Sequence, residues 1–164
     1  MLKERIFDLG VLALGLTLLL IGTTAAQAKP KVTETIKTYT VSATSLEGLA
    51  QEMDQKGPKG YWAYTGWYVK WTGDCKLSVT VDITLPKHKN PAKMPADVRK
   101  KFDTMLVALT EHERQHGRHG IAAAEEIERA GCVGGDAILK KYNAIDIKFD
   151  QKTDHGRKQG VVLN

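Results

Sequence analysis

The sequence predicts an α+β fold in which a small antiparallel sheet packs on one long helix. Two segments alternate apolar and polar residues, as half-buried strands do, and an aromatic-rich segment precedes the second of them. Farther along the chain, apolar residues recur every three or four positions, which indicates an amphipathic helix. The 164 residues contain no internal repeat and no linker, so we expect one domain that spans residues 29–164.

The first 28 residues have the layout of a secretory signal peptide. Lys3 and Arg5 give a charged start, Val11 to Ile21 is almost entirely apolar, and residues 26–28 form an Ala-Gln-Ala cleavage site. The apolar run is shorter than the roughly 18 residues that a membrane-spanning helix needs, although an uncleaved anchor is the alternative. We therefore expect cleavage after Ala28, no stable membrane span afterwards, and a periplasmic or secreted protein.

The first half of the domain is predicted to begin with a strand and a short helix. Val32 to Val41 alternates apolar residues with Thr and Lys, which indicates a strand. Thr44 and Ser45 are favourable helix caps, so a short helix is expected from Leu46 to the turn at Gly57.

A hairpin is predicted next. Tyr61 to Trp71 is rich in β-forming residues, and Leu77 to Leu85 alternates without interruption until Pro86. The turn between them contains Gly73, so the two strands are expected to pair antiparallel.

The second half is predicted to be helical. Lys87 to Pro95 is expected to be a basic loop in which His88 is exposed, and the long helix begins at Ala96. Two glycines, at positions 117 and 120, weaken this helix, and Gly131 ends it. A last helix is expected from Asp136 to Lys148, followed by an extended return over residues 149–164.

The charge and the cysteines narrow the range of functions. The net charge of +5 comes from dispersed basic residues, and the three tryptophans lie in a strand pattern, so no nucleic-acid partner is expected. Cys75 and Cys132 are an even pair in a chain that is predicted to be exported, and we expect them to form one disulfide. Ligation of a metal by these thiolates is the alternative.

Residues 112–116 read His-Glu-Arg-Gln-His, an H-E-x-x-H pattern on the long helix. Residues four apart on a helix differ by about 40° around the axis and about 6 Å along it, so His112 and His116 can bind one Zn²⁺ from the same face. Glu113 then lies beside the open position of the metal, where it can act as a general base. The alternative is a surface helix that carries these side chains by chance and binds no metal.

A catalytic zinc site needs a third protein ligand, and the sequence offers three candidates. His119 lies on the same helical face, but one straight helix does not easily direct three side chains at one ion. Glu125, Glu126 and Glu128 lie too far along a continuous helix, and serve only if the helix breaks at a glycine. His155, in the C-terminal segment, is favoured because a ligand from a separate element closes the site.

With these motifs in place, the chain resembles a bacterial secreted family catalogued as a domain of unknown function, described as predicted secreted zinc-dependent proteases of the zincin clan. The resemblance implies a zincin-like fold and a metallopeptidase. The chain departs from the family pattern at Phe149, where the family implies a tyrosine. The matching residues are Tyr39-Thr40-Val41, Gly66-Trp67 to Trp71, Cys75, Leu85-Pro86, His112 to His116, Cys132, Phe149-Asp150, Thr153-Asp154-His155-Gly156 and Gln159-Gly160.

The function expected from the sequence is hydrolysis of a peptide or protein substrate by water that Zn²⁺ activates and Glu113 deprotonates. Arg118, His119 and Tyr142 are candidates to hold the oxyanion. Two other functions are also considered: a non-catalytic zinc-binding envelope protein, and a binding module whose aromatic strand recognises a peptide or glycan.

Overall fold

The computed structural model describes residues 29–164, and the predicted signal peptide, residues 1–28, lies outside them. Short 3₁₀ turns cover Pro58–Gly60, Pro91–Lys93 and Arg157–Gln159. The strands and helices, in chain order, are β1 (Lys31–Val41), α1 (Leu46–Lys56), β2 (Tyr64–Trp71), β3 (Leu77–His88), α2 (Ala96–Arg129) and α3 (Gly135–Thr153).

The three strands form one mixed sheet in the order β1-β3-β2. β2 and β3 pair antiparallel, as the turn at Gly73 predicts. β1, however, pairs parallel to β3, with Val32 opposite Val79, so the prediction of an all-antiparallel sheet is wrong. The reason lies in the connection: α1 and β2 intervene between β1 and β3, and a crossover of this length can return the chain in either direction.

β3 runs two residues beyond its predicted end at Pro86. Pairing with β2 stops at Thr84, so from there to His88 only β1 pairs with β3. Proline has no backbone N–H. It is tolerated in a strand that is paired on one side only, because a missing N–H on the unpaired side removes no hydrogen bond between strands.

The core lies between the sheet and α2. Alternate side chains of β3 are buried, and they pack in one apolar cluster with the buried face of α2, including Phe102, Met105 and Leu109. α2 is continuous over 34 residues in spite of its glycines. A Cβ added to Gly117 would lie 2.8 Å from Val81, and one added to Gly120 would lie 2.6 Å from Trp67. These glycines therefore allow α2 to lie close to the sheet.

His88 is buried, with 5% of its surface exposed, so the prediction of an exposed loop residue is wrong. Its Nε2–H donates to the carbonyl of Ala43 (3.0 Å), and its Nδ1 accepts from the backbone N–H of Asn90 (3.1 Å). The imidazole joins two backbone segments, and this structural role explains its burial.

The C-terminal region differs from the predicted extended return. α3 continues to Thr153, five residues past its predicted end, and the chain then turns through Asp154, His155 and Gly156 in left-handed conformation. The turn brings Val161 back into the core. Cys75 and Cys132 form the predicted disulfide, which ties the turn after β2 to the end of α2. Within residues 29–164, none of the helices has both the length and the apolar character to span a membrane.

Candidate metal centre

His112 and His116 lie one helical turn apart on the buried face of α2. Their residues are 4% and 9% exposed, and their Nε2 atoms are 3.4 Å apart. The two rings are nearly perpendicular, with their centroids 5.0 Å apart. The two imidazoles therefore converge on one point.

Asp150, near the end of α3, brings a carboxylate oxygen to the same point. Its Oδ1 is 3.2 Å from Nε2 of His112 and 3.1 Å from Nε2 of His116. A tetrahedral ion with ligands at 2.0–2.1 Å has its donor atoms about 3.3–3.4 Å apart, close to the three distances observed. These two histidines and one aspartate could hold a metal ion.

Hydrogen bonds on the far side of each imidazole determine where its lone pair points. Nδ1 of His112 is 2.8 Å from Oε1 of Gln159, and Nδ1 of His116 is 3.0 Å from Oδ1 of Asp146. Both partners present acceptor oxygens, an arrangement that favours the hydrogen on each Nδ1. With the hydrogen on each Nδ1, the Nε2 lone pairs face each other and the carboxylate of Asp150, an arrangement that a bound cation or a shared proton would stabilise.

The ionisation of the two histidines differs because their surroundings differ. Burial lowers the pKa of His112, only partly opposed by the hydrogen bond to Gln159. Burial also acts against protonation of His116, but the hydrogen bond and charge of Asp146, together with the Asp150 charge, outweigh it and raise the pKa of His116. Asp146 itself is half-buried, yet hydrogen bonds from His116, Trp67 and His119 outweigh that burial and lower its pKa.

Glu113 is the buried carboxylate next to this centre, with 5% of its surface exposed. Its Oε2 accepts a 2.8 Å hydrogen bond from the hydroxyl of Thr65 on β2. Burial raises the pKa of Glu113, although the bond from Thr65 acts in the opposite direction. A carboxylate with a raised pKa is closer to the range in which it can accept and return a proton near neutral pH.

Phe149 forms an apolar wall beside the histidines. Its ring stacks on His112 at 4.9 Å between centroids and meets His116 edge-on at 5.2 Å. The position where the family resemblance implies a tyrosine thus carries a ring with no hydroxyl, and that ring packs directly on both imidazoles.

The centre opens into a cavity of about 520 Å³. One wall comes from the segment that leads into β2, and the other from α3 and the C-terminal turn. The lining residues are Asp54, Gly60, Tyr61, Trp62, Ala63, Tyr64, Thr65, Leu109, His112, Glu113, His116, Asp146, Ile147, Asp150, His155, Arg157 and Val161. Glu113, both histidines and Asp150 therefore line one and the same cavity.

His155, the favoured third ligand in the sequence analysis, lines this cavity but lies outside the group of converging atoms. Its side chain is 55% exposed, and its Nδ1 is 3.7 Å from Oδ2 of Asp150. Its ring lies 5.6 Å from that of Tyr61. His155 thus lies at the edge of the centre, beside the aspartate that reaches the two imidazoles.

The other candidate ligands have different partners. His119 donates through Nδ1 to Asp146 and accepts through Nε2 from the side-chain amide of Gln115. Glu126 pairs with Lys141 and Tyr142 on the outer surface.

The three candidates for the oxyanion each have a side-chain partner on the helices. Arg118 pairs with Glu111 and Gln115. Arg118, His119 and Tyr142 are not among the residues that line the cavity.

Asp146, Asp150, Gln159 and Thr65 were not identified from the sequence as parts of the site. One signal was present: Asp146 and Asp150 are four residues apart, which places both on one face of a helix. Because the last helix was predicted to end at Lys148, Asp146 was assigned to the helix and Asp150 to the segment after it, so their shared face was not recognised.

Comparison with known proteins gives a family for the chain. Residues 36–156 match the family described as "Bacterial protein of unknown function (DUF922)". No curated protein and no solved structure shows significant similarity to the chain. Because the match covers most of the sequence, this protein belongs to that bacterial family of unknown function.

Proposed function

We propose that this protein is a secreted, zinc-dependent metallopeptidase with a zincin-like fold, in which His112, His116 and Asp150 hold the metal. One observation carries the proposal: three atoms that can bind a metal lie 3.1–3.4 Å apart, beside a buried glutamate in an open cavity. The disulfide and the predicted leader support the location outside the cytoplasm.

The donor set agrees with zinc. Two imidazole nitrogens and one carboxylate oxygen are ligands that Zn²⁺ accepts, and three protein ligands leave one position for water or substrate. When bound there, zinc supplies Lewis acidity, which makes a water molecule more acidic and polarises a carbonyl oxygen.

The surrounding residues perform the proton transfers and the positioning. The carboxylate of Glu113 accepts a proton from the attacking water and later delivers it to the nitrogen of the leaving amine. Thr65 holds that carboxylate in place, and Phe149 keeps water from one side of the histidines. Gln159 orients the His112 imidazole.

We assign the third ligand to Asp150 in preference to His155. Oδ1 of Asp150 is within 3.2 Å of both imidazole Nε2 atoms, whereas His155 approaches only the opposite oxygen of Asp150. His155 as a ligand remains a prediction that metal analysis decides.

The decisive experiment measures zinc content and hydrolysis of casein or a peptide library for the exported wild type and three variants. Glu113→Gln is expected to keep its zinc and lose activity, because only the proton acceptor is removed. Asp150→Ala is expected to lose zinc, and His155→Ala to retain it. If Glu113→Gln hydrolyses peptides as well as the wild type does, the proposed mechanism is wrong.

A binding module is the second candidate, and the aromatic wall of the cavity favours it. Tyr61 is exposed at this wall, beside Trp62 and Tyr64, and such rings can recognise a peptide or glycan. In that case neither the wild type nor Glu113→Gln hydrolyses peptides, and both bind the ligand equally well.

A further inference from the structure

We propose that Asp146 is a positioning residue that sets the tautomer and direction of the His116 imidazole, and that His119 and Trp67 act on the centre through it. The part that concerns zinc affinity rests on the proposed function, whereas the part that concerns the tautomer does not.

Asp146 accepts three N–H groups from two other elements of the fold. Its Oδ1 is 3.0 Å from Nδ1 of His116 and 2.5 Å from Nδ1 of His119, both on α2. Its Oδ2 accepts from the indole N–H of Trp67 on β2 at 2.6 Å. A carboxylate with three charge-assisted hydrogen bonds in fixed directions has little freedom to turn.

These contacts identify Asp146 as a hydrogen-bond acceptor and not as a ligand of a second metal ion. His116, His119 and Asp146 also form a group whose donor atoms lie close together. The 2.5 Å between His119 and Asp146 is, however, a hydrogen-bond distance, well below the roughly 3.3 Å that separates donor atoms around zinc. In addition, Nε2 of His116 already faces Asp150.

The consequence is an asymmetry between the two imidazoles. His112 donates to the neutral amide oxygen of Gln159, whereas His116 donates to a carboxylate. A carboxylate partner makes an imidazole a more basic ligand, and removal of such a partner typically costs about 10- to 100-fold in metal affinity.

Trp67 connects this arrangement to the sheet. Residues two apart on a strand point to the same face, so Thr65 and Trp67 extend from one face of β2. Thr65 contacts Glu113, and Trp67 contacts Asp146. A single face of β2 thus positions the proposed base directly and the His116 imidazole through Asp146.

The first test uses metal-free protein at a pH high enough for the His116 ring to be neutral, and determines its tautomer by ¹⁵N NMR. The wild type is expected to show Nδ1–H, and Asp146→Ala a mixture of both tautomers. Asp146→Asn retains an acceptor oxygen, so it is expected to keep Nδ1–H. Asp103→Ala, which removes an exposed carboxylate from α2, is the matched control and is expected to change nothing.

The second test measures the zinc Kd of the same variants by competition with a chromophoric chelator. Asp146→Ala is expected to weaken zinc binding by about 10- to 100-fold. The Kd of Asp146→Asn is expected to lie between that of the wild type and that of Asp146→Ala. His119→Ala is expected to weaken binding in the wild type but to have no further effect when Asp146 is already alanine, because His119 acts through that carboxylate.

The proposal is overturned if folded Asp146→Ala keeps both the Nδ1–H tautomer and the wild-type zinc Kd. If His119→Ala weakens zinc binding by the same factor in the wild type and in Asp146→Ala, the indirect role of His119 is contradicted. If the wild type binds no zinc, the proposed function fails, and the tautomer result still decides the role of Asp146. Circular dichroism identifies any variant that fails to fold. If Asp146→Ala does not fold, the zinc Kd of Asp146→Asn decides instead, and a wild-type Kd for that variant overturns the proposal.

Discussion

The hydroxyl of Thr65 on β2 donates a 2.8 Å hydrogen bond to the buried carboxylate of Glu113 on α2. The bond joins the strand that borders the cavity to the helix that carries both histidines. Burial and the Thr65 bond have opposite effects on the pKa of Glu113, and burial prevails. Thr65 therefore limits how far the pKa of the proposed base rises.

Replacement of Thr65 by valine, which has nearly the same shape, removes this hydrogen bond. Since a hydrogen bond to a charged group contributes about 1.5–3 kcal/mol, we expect peptide hydrolysis to fall by about one to two orders of magnitude. Zinc content should not change, because Thr65 contacts no proposed ligand. Thr80→Val, the same substitution at an exposed position of β3, is the control. A wild-type rate for Thr65→Val would show that the hydroxyl does not assist the base.

The stability of the metal-free protein is expected to depend on pH through Glu113. Because burial raises its pKa in the folded state, the unfolded chain ionises first as the pH rises above 4.5, the ordinary value. The free energy of unfolding of the wild type should therefore decrease relative to that of Glu113→Gln over this range. Urea unfolding at a series of pH values measures the difference, with Glu111→Gln as an exposed control. A difference that stays constant with pH would argue against the raised pKa.

Gly120→Ala is expected to destabilise the protein, although alanine normally stabilises a helix by about 1 kcal/mol relative to glycine. The added Cβ would lie 2.6 Å from the Trp67 side chain, and such overpacking typically costs about 1–3 kcal/mol. Thermal unfolding checks the direction. Gly73→Ala, where the added Cβ meets open space, is the matched control and should be nearly neutral. If Gly120→Ala raised the melting temperature, the close contact between α2 and β2 would be contradicted.

The disulfide between Cys75 and Cys132 closes a loop with a sequence separation of 57. Loop-closure entropy in the unfolded chain then predicts that the double variant to serine loses about 4 kcal/mol of unfolding free energy. Urea unfolding of the variant, compared with the wild type with and without reductant, measures this loss. The reduced wild type should match the variant, and equal stability of the variant and the oxidised wild type would refute the prediction.

Local patterns in the sequence were sufficient to predict most of the secondary structure. The alternation in β3, the cap at Ser45 and the periodicity of α2 each depend on contacts within a few residues, and each of these elements was correctly placed. The direction of β1 and the burial of His88 were predicted wrongly, because each depends on which distant segment packs beside it.

The same distinction applies to the candidate site. The spacing of His112 and His116 is a property of a single helix, so the sequence alone determined that these two imidazoles share a face with Glu113 beside them. Only the tertiary structure decided that Asp150, Asp146, Gln159 and Thr65 meet them there. These four residues come from other elements of the fold, and long-range packing of α3 and the sheet against α2, rather than any spacing along the chain, brings them to α2.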